Sequence, residues 1–70
     1  MKRRFQFVSG NSAKFWEIAL STTDVTVRFG RLGTAGQTHI KSFANAASAG
    51  RHADKITSEK LRKGYVECAA

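Results

Sequence analysis

Hydrophobic and polar residues alternate along the first forty residues, then switch to a longer period. From Arg4 to Ser9, Phe5 and Phe7 point one way while Arg4, Gln6 and Val8 point the other, which is the period of a half-buried strand. Gly10, Asn11 and Ser12 are turn residues. From Lys14 to Ser21, Trp16, Ile18 and Leu20 share one face and Phe15, Glu17 and Ala19 the other. Thr22, Thr23 and Asp24 make the next turn. From Val25 to Arg31, Val25, Val27 and Phe29 oppose Thr26, Arg28 and Gly30. Leu32 to Gly36 forms a hairpin turn with Gly33 or Gly36 at positive φ. A fourth strand, Thr38 to Ser42, directs Ile40 inward and His39 and Lys41 outward.

Beyond Ser42 the period becomes helical. Small and apolar residues fall three and four apart at Ala46, Ala49, Gly50, Ala53, Ile56, Thr57 and Leu61. The pattern predicts a helix over 44–62, started by Ser42 or Asn45 and stopped at Gly64. A glycine inside a helix costs about 1 kcal/mol relative to alanine, so Gly50 is expected to have a packing reason. Tyr65 to Glu67 is extended. The expected fold is α+β: an antiparallel four-stranded meander, five-stranded if that last segment pairs, with one C-terminal helix on one face. Seventy residues, 1–70, form a single domain with a small core.

Charge changes this picture most. Twelve Lys and Arg against five Asp and Glu give a formal charge of +7 and an isoelectric point near 10.4. Such a surface attracts phosphate backbones, anionic membranes or acidic protein patches. A single cysteine, Cys68, excludes an internal disulfide and a cysteine-based zinc site, and no apolar run is long enough to span a membrane. A reducing, cytoplasmic location is the expectation.

Catalytic chemistry finds no support. His39 and His52 belong to no recognised spacing, and the five carboxylates are scattered. Gly30, Gly33 and Gly36 precede a strand, unlike the glycines of dinucleotide or phosphate loops. No catalytic residue, metal or cofactor is expected. The binding candidates are basic and aromatic. Arg28 and Arg31 flank Phe29 and Gly30; arginine grips phosphate with paired N–H bonds, an aromatic ring stacks on base or sugar, and glycine leaves room for a backbone to approach. Phe29 also shares the face of Val25 and Val27, so alternation alone places it in the core. Lys60, Arg62, Lys63 and Tyr65 form a second basic and aromatic cluster at the helix end.

These segments resemble a WGR domain. Lys14–Ile18 (K-F-W-E-I) resembles the family's second strand. Val27–Gln37 (V-R-F-G-R-L-G-T-A-G-Q) resembles the motif strand and its hairpin. Lys41–Phe43 resembles the helix entry and Glu59–Tyr65 the helix end. The resemblance implies a small antiparallel sheet with one packed helix. In poly(ADP-ribose) polymerases the domain binds DNA near strand breaks, its motif aromatic against sugar and its arginine on DNA, and relays this to a separate catalytic domain. Carried over, those roles fall on Phe29 and Arg31, with Tyr65 and Lys63 as further transfers. This chain has Phe where the family name has Trp. It resembles a stand-alone bacterial member without ADP-ribosylating activity. The expected function is therefore a non-enzymatic nucleic-acid-binding module, for DNA first and RNA second. Arg31, Arg28, Lys14, Lys41 and Lys63 neutralise phosphate, and Phe29, Gly30 and Tyr65 complete the surface. The alternative is a protein-interaction module that docks an acidic partner or a separate effector protein.

Overall fold

The structure, a computed structural model, describes residues 2–68. Strands β1 (Lys2–Ser9), β2 (Ser12–Ser21), β3 (Asp24–Arg31) and β4 (Gln37–Ser42) are followed by helix α1 (Ala46–Arg62) and a short β5 (Val66–Cys68). They make one antiparallel five-stranded sheet in the order β4-β3-β2-β1-β5. The last segment thus pairs, on the outer side of β1.

The helix covers one face. Cross-strand rows on that inner face are Phe5–Trp16–Phe29 and Arg3–Ile18–Val27, with Leu20 opposite Val25. Phe5, Trp16, Ile18 and Val25 are buried there against Ala49 and Ala53 of the helix, and the Phe5 and Trp16 rings meet at 5.6 Å. The alanines let the helix backbone come close to the sheet. Thr57 completes its buried stripe. Asn45 caps the helix, accepting a hydrogen bond from the Ser48 amide at 2.8 Å.

The helix ends in a Schellman motif. Gly64, at φ +100°, lets the Gly64 amide reach the Leu61 carbonyl and the Tyr65 amide reach the Lys60 carbonyl, both at 3.1 Å. This cap seats Tyr65 beside Lys60.

Three sequence expectations fail here for physical reasons. Ile40 does not point inward: it pairs with Thr26 on the outer face and is 66% exposed. Its inner-face neighbours His39 and Lys41 oppose Val27 and Val25, so the edge strand carries its polar residues on the helix side. Gly50 has no packing reason, since a Cβ built there meets no atom within 4 Å. Leu61 lies past the buried stripe and is 47% exposed.

Candidate nucleic-acid interface

Beyond the buried row the inner face opens. The next row of the sheet is Phe7–Lys14–Arg31, so two cations stand directly opposite each other on β2 and β3. Like charges in that position are unfavourable for a sheet. Next to them Phe29, paired with Trp16, is 37% exposed, on the core's face but outside the buried cluster. That decides its role in the fold: Phe29 continues the core's face into an open groove.

The helix end supplies the other wall. The Lys60 ammonium lies 5.8 Å from the centre of the Trp16 ring and 5.2 Å from that of Tyr65, and Tyr65 packs on Phe7 at 5.3 Å. Lys14, Phe15, Trp16, Phe29, Gly30, Arg31, Lys60 and Tyr65 enclose a groove of about 290 Å³. Burial pushes the Lys60 ammonium below its usual range, and repulsion from Lys63 and Lys14 adds to this, against a smaller pull from Glu59. The lysines of sheet and helix end are therefore near enough to repel. Among the described residues, no carboxylate lies within ion-pair distance of Lys14, Arg31, Lys60 or Lys63.

The outer face of the same strands is built differently. Phe15, on that face, is 1% exposed although no helix covers it. The guanidinium groups of Arg4 and Arg28 each sit 4.8 Å from its ring centre. Both donate to the buried Glu17 carboxylate, Arg28 through Nε at 3.1 Å and Nη2 at 2.9 Å, and Lys2 joins at 3.8 Å. Burial alone would raise the Glu17 carboxyl. The hydrogen bonds from Arg28 and Arg4 and the charges of Arg28 and Lys2 outweigh burial and hold it below the usual range. Arg28 also donates through Nη1 to the Ala35 carbonyl at 2.7 Å, fastening the turn. Gly36, at φ +72°, presses that turn onto Phe15 and the Phe29 carbonyl.

Of the residues singled out in the sequence, the groove brings together Lys14, Phe29, Gly30, Arg31 and Tyr65, with Lys63 one helical step beyond Lys60. Arg28 stands on the opposite face. Lys41 stands toward the far end of β4, its ammonium 5.4 Å from the Phe43 ring. At Gly30 the backbone that comes close is the chain's own: a Cβ there would lie 2.8 Å from the Gly36 Cα. The sequence does not single out Trp16 as a binding residue, and it offers Lys60 only as a member of the helix-end cluster. Trp16 was recognisable in principle, since alternation puts it on the face of Phe29. Lys60 follows Thr57 by three residues on the sheet-facing side of the helix, and the Schellman cap brings Tyr65 to it. Among the described residues, no cluster of three or more His, Cys, Asp or Glu could hold a metal, and no helix is long and apolar enough to cross a membrane.

Comparison with known proteins accords with this architecture. The WGR domain family matches residues 1–70. Protein YehF of Escherichia coli is 39% identical over 96% of this chain, which corresponds to 24% of that protein. The uncharacterized Escherichia coli protein YfeS is 34% identical over 96% of the chain and 28% of its own length. The chain thus spans about a quarter of these curated relatives. A crystal structure of a Bacteroides fragilis protein superposes with a TM-score of 0.96 at 49% identity, covering 99% of this chain and 20% of that one.

Proposed function

Because the chain belongs to the WGR domain family, we propose that it is a non-enzymatic module that binds DNA through the groove between β2, β3 and the helix end. WGR domains are generally nucleic-acid-binding modules and are not catalytic. The observation that carries the reading is a set of cations, Lys14, Arg31 and Lys60, without carboxylate partners beside the exposed Phe29 ring, with Lys63 on the helix end beyond Lys60. Opposed like charges cost stability unless a ligand neutralises them, and a phosphate backbone does so. Arg31 takes phosphate with its paired N–H groups, the lysines neutralise neighbouring phosphates, and Phe29 packs on the sugar or base of a strand end.

Most of the affinity is electrostatic. Contacts to about four phosphates give a slope near −3.6 for log affinity against log salt. Titration of labelled nicked and blunt duplexes at low and moderate salt tests this. Undetectable binding at low salt would sink the proposal. Single-stranded RNA as competitor ranks the two nucleic acids.

A second reading, docking of an acidic protein, is favoured by a separate observation. The uncovered outer face carries Val8, Val66 and Ile40, which are 68%, 68% and 66% exposed, around the Lys2–Arg4–Arg28 cluster. Capture of a partner that survives nuclease treatment and is lost with Ile40→Asp separates this reading from the first.

A further inference from the structure

His39 projects from the edge strand on the inner face, and its ring lies 5.4 Å from that of Phe29 with the planes 35° apart. Phe29 therefore has Trp16 on one side, along its strand pair, and an exposed imidazole on the other. Resting on the DNA-binding reading above, we propose that His39 is a further nucleic-acid contact and that it makes binding depend on pH. A nucleotide seated against Phe29 comes next to His39, on the side of the ring away from Lys60.

The surroundings favour the charged form of a histidine once phosphate arrives. Along β4, the inner-face neighbours of His39 are Gln37 and Lys41. Across the pair it meets Val27, with Val25 and Phe29 on the diagonals, and Arg31 stands next on that face of β3. None of these is a carboxylate. The helix packs chiefly on β2 and β3 rather than on β4. The histidine on the helix, His52, packs on Phe43 at 4.9 Å. A phosphate would be the missing anion.

Imidazole titrates close to neutrality, so its charge is adjustable in the range where the lysines and arginines are fixed. Phosphate beside the ring raises its pKa in the complex above that in the free chain. The complex then holds more protons than the free protein, and affinity rises as pH falls. The gain is complete below the free pKa and is lost as pH rises through the bound pKa. A rise of about one unit corresponds to about tenfold tighter binding.

The test measures binding of a fluorescent nicked duplex at about pH 5.5 and about pH 8, on either side of the ordinary imidazole range, at fixed ionic strength. Wild type, His39→Gln and His52→Gln are compared. The expected result is binding about tenfold tighter at the lower pH for wild type and His52→Gln, and little change for His39→Gln. In parallel, the His39 ring proton followed by NMR should titrate at higher pH with DNA bound. A wild-type affinity independent of pH, or a dependence unchanged in His39→Gln, would overturn the role of His39 while leaving DNA binding intact. A chain that binds no duplex at either pH overturns both.

Discussion

The two faces of strands β2 and β3 use the same residue types to opposite ends. On the outer face, Arg4, Arg28 and Lys2 converge on one buried carboxylate and cover Phe15. On the inner face, Lys14, Arg31 and Lys60 surround Phe29 and Trp16, and among the described residues no carboxylate forms an ion pair with any of the three. One face is a closed account of charge, and its cations hold the sheet and the hairpin turn. The other is open, and its lysines repel one another. Composition does not separate arginines paired with a carboxylate from unpaired ones. The presence or absence of Glu17 does.

The strongest way to break this contrast is at the turn that both faces share. Gly36→Ala puts a Cβ into the Phe29 carbonyl and the Phe15 ring at a positive φ. A loss of about 3 kcal/mol in urea unfolding is expected, together with weaker DNA binding. Next comes the closed face. Glu17→Gln removes the charge that Arg4 and Arg28 share and should cost about 2 kcal/mol, a figure reduced from that of a fully buried pair because both arginines are partly exposed. Duplex affinity at full folding should hardly move.

The same carboxylate predicts an acid limit. Its folded pKa lies below its unfolded one, so its stabilisation is present above about pH 4.3 and is lost as pH falls through the folded value. Glu67, held low by its hydrogen bonds from Arg3, acts in the same direction, but on the surface. Acid unfolding of Glu17→Gln should therefore be shallower than that of wild type.

On the open face, Arg31→Ala should weaken duplex binding by about 1–2 kcal/mol and change stability by less than about 0.5 kcal/mol. If instead it unfolds the chain, the inner cations are structural and the contrast fails. The smallest effect lies away from both faces: Gly50→Ala, with open space for its methyl, should stabilise by about 0.5–1 kcal/mol without touching binding.

Much of the fold was legible because period 2 and period 3.6 leave distinct marks. The strands, the Asn45 cap and the Gly64 stop all follow from local chemistry. Ile40 was misread because an edge strand need not bury its apolar residue, and its face is set by register with β3 rather than by its own pattern. Gly30 was misread as room for a ligand because the approaching backbone, Gly36, lies in the turn of the same hairpin. In the site, Phe29 was ambiguous because core and groove share one face and differ only in where the helix ends. Lys60 meets Trp16 because it follows the buried Ala49–Ala53–Thr57 stripe, and the cap that turns the chain at Gly64 brings Tyr65 to it.

The pairing of β5 with β1 has a further consequence for how such a unit sits within larger proteins. Arg4 stands opposite Cys68, so the chain enters and leaves along adjacent strands at one border of the sheet, about 5 Å apart. A unit with adjoining entry and exit can be spliced into a loop of another protein without prising that protein open. The opposite border of the sheet is β4, which carries His39. A host joined along the β1–β5 border would leave Phe29, Arg31 and His39 on the far side of the sheet from the junction.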